Sequence, residues 1–136
     1  MRLKTGRAIQ DVMKDPAANP IRVLLVDDSD QVRADLRAAL ALCQGIEIAG
    51  EASNGETAVE RERALSPDVV LMDLGMPGVD GFEASRRIKA RRPPCRIVAL
   101  TVHAGEEERR RASQAGIDAF VIKGVSLQGL LQAIRG

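Results

Sequence analysis

Two short apolar runs stop at carboxylates: LLVDD ends on Asp27 and Asp28, and VVLMD ends on Asp73. Two more stop at a hydroxyl and an ammonium, IVALT at Thr101 and AFVIK at Lys123. Alone, none of these is unusual. An Asp-Asp pair after a strand is often a helix cap, and Ser29 can cap the next helix itself. Asp73 is a good turn former, Thr101 a capping residue and Lys123 a solvated charge. Independent accidents explain their joint placement poorly. Brought together, three carboxylates raise one another's pKa, and a divalent cation relieves the conflict. Oxygen-only ligands with room for waters and a phosphate suit Mg²⁺. The Thr101 hydroxyl and Lys123 ammonium would each contact an anionic oxygen. The set therefore suits a phosphoryl group held on a carboxylate, since carboxylates form aspartyl-phosphates. Positioning and charge neutralisation would supply the catalysis.

The elements that must carry these residues are legible from period. IRVLLV, IEIAGEA, DVVLM, CRIVALT and DAFVI read as strands. Helical spacing separates them, as at Val32, Leu36, Leu40 and Cys43, and at Leu127, Leu130, Leu131 and Ile134. Short apolar strands alternating with helices predict an α/β fold with a parallel sheet covered on both faces. Right-handed crossovers narrow the topology. One arrangement they allow is a (βα)5 flavodoxin-like doubly wound parallel sheet of strand order 2-1-3-4-5. Strands 1 and 3 are then neighbours at the switch point, where such sheets bind ligands beyond the carboxyl ends of their strands.

At 136 residues the chain has the length of one domain. A net charge of +1 sets up no global field for nucleic acid or an anionic membrane. No apolar run is long enough to cross a bilayer, and the N-terminus lacks the apolar core of a secretory signal. Cys43 and Cys95 have no metal-ligand spacing and read as buried or half-buried thiols in a reducing compartment. Phe82 and Phe120 are the only aromatics, which argues against stacking on single-stranded bases. Residues 1–20 mix charges of both signs and close on prolines. They are expected to form a flexible N-terminal extension, because Ile9, Val12 and Met13 offer only one turn of apolar face. The ordered domain is expected over residues 21–136.

Through LLVDDS, VVLMDLGMPGVDG, IVALT and AFVIKG the chain resembles the receiver domain of two-component response regulators, the CheY-like fold. GEASNGETAVE, and Gly124 rather than proline after the lysine, resemble its LuxR/NarL-type branch. The resemblance runs from Ile21 to the C-terminus. It implies a bacterial, cytoplasmic phosphorelay domain whose Asp73 accepts a phosphoryl group from a sensor histidine kinase or phosphotransfer protein. Asp28 would bind Mg²⁺ directly, Asp27 mainly through water, and Asp73 and the Gly75 backbone carbonyl would complete the protein's share of the metal site. Thr101 and Lys123 would bind phosphoryl oxygens, and Thr101 with Phe120 would form the switch. The domain would be a phosphoacceptor rather than an enzyme, catalysing only its own phosphotransfer and dephosphorylation. Helix 4, strand 5 and helix 5 would carry partner contacts or a phosphorylation-linked homodimer, with no nucleic-acid or membrane contact by the domain itself. It would be a stand-alone receiver or one excised from a LuxR/NarL-type DNA-binding transcriptional regulator. Gly75 departs from receivers that carry a side chain over the acceptor.

Two rival readings differ in class. Haloacid-dehalogenase-type phosphatases carry a second acid two residues after the nucleophile, whereas Leu74 and Gly75 follow Asp73. A phosphorylation-independent pseudo-receiver, a pure interaction module, typically loses an acid or the lysine, and here all five positions are kept. Elsewhere, His103 reads as a loop residue. Arg86, Arg87, Lys89, Arg91 and Arg92 read as a solvated helix face. In EEERRR, Glu106–Arg110 and Glu107–Arg111 have the i, i+4 spacing of helix-supporting ion pairs. Helix 4 would then be anchored mainly by Ala104, Ala112 and Ala115, which makes it the expected bistable element.

Overall fold

The computed structural model describes residues 19–76 and 78–136. The readings of Ile9, Val12 and Met13 lie outside the described residues. Strands β1 (Ile21–Val26), β2 (Ile46–Ala52), β3 (Val69–Asp73), β4 (Arg96–Thr101) and β5 (Ala119–Ile122) alternate with five helices. These are α1 (Asp30–Ala41), α2 (Gly55–Leu65), α3 (Gly81–Arg91), α4 (Glu106–Gln114) and α5 (Leu127–Arg135). The strands form one parallel sheet in the expected flavodoxin-like order β2-β1-β3-β4-β5.

Successive residues of a strand face opposite sides, so each apolar run feeds two cores. Leu24, Val26, Val70, Met72, Ile97 and Ala99 pack towards α2, α3 and α4, against Ala58, Phe82, Ile88 and Ala112. Val23, Leu25, Leu71, Val98 and Leu100 pack towards α1 and α5, against Leu40, Leu130 and Ile134. The central strand β3 is buried along its whole length, which is why its sequence reads as unbroken apolar residues up to the acid.

The helices begin where side chains satisfy their free amides. Ser29 accepts from the Val32 N–H at 3.2 Å, Asn54 from Thr57 at 2.8 Å, Asp80 from Glu83 at 2.9 Å and Ser126 from Gly129 at 3.1 Å. At α4 the cap position is Gly105, and the Glu108 carboxylate accepts the Gly105 N–H at 2.9 Å instead.

Two surface readings are corrected. Arg91 and Arg92 do not lie on a purely solvated face: both donate to Glu62 of α2, whose side chain is fully buried, with the Arg92 Nε at 2.7 Å. Lys89 reaches Asp118 at 2.7 Å, and only Arg86 and Arg87 keep to their own helix, both on Glu83. In α4, Arg110 pairs with Glu107 one turn back at i, i+3. Arg111 instead lies over Phe82, with its guanidinium carbon 4.0 Å from the ring centre and 3.7 Å between Nη2 and Asp80 Oδ2. Three and four residue spacings are equally close on a helix, and an aromatic face with a second acid outbids a solvated partner.

Candidate functional site

Asp27 is the first residue after β1 and Asp73 the last of β3. Val26 stands opposite Met72 in the parallel ladder, so the two acids leave adjacent strands side by side. Both are buried, at 1% and 5% exposure, whereas Asp28 faces solvent. One carboxylate oxygen from each of Asp27, Asp28 and Asp73 lies within 4.8 Å of the others. Lys123 follows β5, two strands from β3. Its N–H donates to the Thr101 carbonyl at 2.7 Å, which ties its backbone to the end of β4. Its side chain spans the intervening strand ends, placing Nζ 3.0 Å from Asp27 Oδ2 and 3.5 Å from Asp73 Oδ1.

These contacts set the charge states. Burial pushes the Asp73 carboxyl above its ordinary value, and the charges of Asp27 and Asp28 push the same way. The Gly75 N–H, donated to Asp73 Oδ1 at 3.0 Å, and the Lys123 ammonium oppose the rise without cancelling it. Burial alone would lower Lys123. Its bond to Asp27 and the charges of Asp73 and Asp27 more than reverse this, so it is held above its usual value and stays charged. The site therefore gathers three carboxyl groups around one ammonium. A hard oxygen donor set and one solvent-facing acid fit a divalent cation that keeps part of its water.

The backbone around the acids is strongly determined. The Asp27 N–H donates to the Ala52 carbonyl at 3.1 Å, and Asp27 Oδ1 accepts the Ser29 N–H at 2.9 Å. The Asp27 carbonyl accepts from Arg33 Nη1 at 2.6 Å. After Asp73 the chain loops out and returns so closely that a Cβ on Gly81 would lie 2.3 Å from the Asp73 carbonyl oxygen, so only glycine fits. At Gly75 a Cβ would sit 3.8 Å from Asp73 Oδ1, an ordinary contact, so a side chain would fit there and glycine leaves Asp73 uncovered. Gly124 has φ +95°, a conformation closed to proline, which accounts for its place after Lys123.

Of the residues singled out from sequence, Asp27, Asp28, Asp73 and Lys123 meet, with Gly75 bonded to Asp73. Thr101 sits at the end of β4, but its hydroxyl serves its own loop, donating to the His103 carbonyl at 2.9 Å and accepting the His103 N–H at 3.2 Å. Phe120 is half-buried on β5 under Arg109, whose guanidinium carbon lies 5.2 Å from the ring centre. His103 is exposed, with Nε2 3.7 Å from Glu108. Sequence reasoning missed Arg33 and Gly81. The close return of the loop left a trace in the GVDG spelling, while nothing local signals where the Arg33 guanidinium goes.

Residues 23–135 match the family described as response regulator receiver domain. The chain is 43% identical to the response regulator GacA of Pseudomonas viridiflava over 115 residues, covering 85% of this chain and 54% of that protein. It is 45% identical to the response regulator UvrY of Escherichia coli over 115 residues, 85% of this chain and 53% of that one. It thus spans about half the length of these curated relatives. A crystal structure of a LuxR-family two-component response regulator from Aurantimonas superposes with a TM-score of 0.81 at 34% identity, covering 86% of this chain and 84% of that one. Among the described residues no helix is long and apolar enough to cross a membrane.

Proposed function

The chain belongs to the response regulator receiver domain family, and from that premise we propose that Asp73 is its phosphoacceptor. The observation that carries this is one juxtaposition. A buried carboxylate at the end of the central strand is flanked by two further acids and an ammonium that reaches across from β5. A carboxylate oxygen of Asp73 attacks the phosphorus of a kinase or phosphotransfer-protein phosphohistidine. A P–O bond forms, and the P–N bond breaks with its electron pair staying on the imidazole. In the return step a water attacks phosphorus, and the P–O bond breaks to regenerate the Asp73 carboxylate. Asp27, Asp28, Asp73 and the Gly75 carbonyl would hold Mg²⁺, which neutralises charge on the transferring phosphoryl oxygens when bound. Lys123 is already charged and within reach of Asp73, so it needs little motion to meet a phosphoryl oxygen. Thr101 must leave its bonds to His103 to do the same, which makes its hydroxyl the natural point at which phosphorylation pulls on the β4–α4 loop. Phe120 and α4 would relay that pull to partner or dimer contacts on α4, β5 and α5.

An apolar cleft of about 240 Å³ opens beside Lys123, lined by Val32, Leu36, Leu100, Ile122 and Val125 among others. It supports docking of the phosphodonor next to the acceptor. Membership of the receiver family supports a cytoplasmic signalling role, and the similarity to a LuxR-family two-component regulator supports transcriptional control as the output. Intact mass after incubation with acetyl phosphate and Mg²⁺ tests the chemistry. One added phosphoryl group is expected in the wild type, and none in Asp73→Asn or with the metal chelated. An adduct that persists in Asp73→Asn would place the acceptor elsewhere.

A further inference from the structure

We propose that Arg33 is a positioning residue for the cation site, orienting the peptide that joins Asp27 to Asp28. This rests on the receiver reading above and adds a residue that touches neither metal nor phosphoryl group. Arg33 lies on the first turns of α1, and its side chain is only 14% exposed. Its guanidinium meets three acceptors at once. Nη1 donates to the Asp27 carbonyl at 2.6 Å, Nε to Glu51 Oε1 at 3.1 Å, and Nη2 to Asp30. Glu51, on β2, is held from the other side by Arg37. The fork is therefore braced between β2 and α1, and one prong is fixed on the carbonyl of the Asp27–Asp28 peptide.

That carbonyl matters because a peptide unit is planar. With the Asp27 N–H tied to Ala52 and its carbonyl tied to Arg33, the plane through which the chain enters Asp28 is set. Asp27 is buried and also anchored through both side-chain oxygens, to Ser29 and Lys123. Asp28 faces solvent, and no side-chain hydrogen bond of its own is found among the described residues. Its direction is therefore inherited from the backbone, and Arg33 is the side chain that holds that backbone. Lysine could not substitute: it offers one ammonium where three separated acceptors need a planar fork.

The proposal predicts the opposite sign to simple electrostatics. Arg33 is a positive charge beside an acidic cluster, so its field disfavours a cation, and removing it should tighten Mg²⁺ binding. If Arg33 instead holds the ligand geometry, its removal should weaken binding, by about ten-fold for an outer partner of a metal ligand. Mg²⁺ affinity of the full chain is measured by calorimetry, and by NMR at the Asp28 and Ser29 amides, for wild type, Arg33→Met and Arg33→Lys. Expected is a Kd raised about ten-fold in Arg33→Met and raised in Arg33→Lys as well, with acetyl phosphate labelling recovered at saturating Mg²⁺. Tighter or unchanged binding in a folded Arg33→Met overturns the proposal. If that variant does not fold, Arg33→Lys decides alone, and wild-type affinity there overturns it equally. A wild type that binds no Mg²⁺ sinks the receiver reading itself, a result distinct from equal affinities across the three proteins.

Discussion

The surroundings of Asp73 disfavour its ionised form even with the Lys123 ammonium 3.5 Å away. Its carboxyl is raised by burial first, and by the neighbouring acids second. A raised carboxyl pKa means the ionised form is less stable in the folded chain than in the unfolded one. That cost is absent at acid pH, where Asp73 is protonated in both states. It grows as pH rises from the unfolded value and is complete only above the raised folded value. Asp73→Asn keeps an acceptor for the Gly75 N–H and removes the charge. Without metal, the variant is therefore expected to melt above the wild type at neutral pH, the gap closing as pH falls into the acid range. Thermal melts across pH in chelator check this, and a variant less stable than wild type at pH 7 would contradict the account. In Mg²⁺ the order should narrow, because only the wild type gains the full metal contact.

Between elements, α2 and α3 are joined by a charge that cannot reach water. Glu62 is fully buried, and among the described residues its charge partners are Arg91 and Arg92, themselves partly exposed. The two sides of this contact are not equivalent. If Glu62 is removed, both arginines can turn outward. If the arginines are removed, the carboxylate is stranded, the situation in which breaking a buried pair costs about 3 kcal/mol or more. Glu62→Gln is expected to destabilise less than Arg91→Ala with Arg92→Ala, although the double variant alters more exposed surface. Urea denaturation of the two proteins decides it, and the reverse ranking would show that Glu62 finds another partner. Arg92 also bonds the Pro67 carbonyl, so this clamp fixes the entry into β3 and, through β3, the position of Asp73.

Across the whole molecule, packing is uneven in a way that suits a switch. Leu40, Ile88 and Ile134 anchor α1, α3 and α5 with fully buried large side chains, whereas the buried residues at α4 are Ala112 and Ala115. Among the described residues, α4 is also tied by Arg109 on the Phe120 ring and by Arg111 on the Phe82 ring and Asp80. One ring lies on β5 three residues before Lys123 and the other at the start of α3, just after the loop that follows Asp73. Helix α4 is thus fastened mainly to the two segments that flank the site. Little apolar burial means a small free energy for local opening. Hydrogen exchange is expected to be faster across residues 104–115 than in β3 or α3, and to change there on adding beryllofluoride with Mg²⁺. Protection in that stretch equal to α3 and indifferent to the mimic would remove α4 from the switch.

Five strands, five helices, their order in the sheet and four of the clustered site residues were legible in the chain alone. Hydrophobic period is a local property, handedness and crossover rules leave few topologies, and a strand's last residue must sit at the sheet's rim. Asp27, Asp28, Asp73 and Lys123 could be placed together on those grounds. The pairing of charged side chains could not. Exposed ion pairs differ by less than about 1 kcal/mol, so spacing along a helix does not choose among partners. Tertiary structure made the choice by burying Glu62 next to residues 29 and 30 positions away, and by turning Arg111 onto Phe82. It likewise directed the Thr101 hydroxyl to its own loop and folded Arg33 back onto the Asp27 carbonyl, because each bond depends on which backbone groups the finished sheet leaves unpaired.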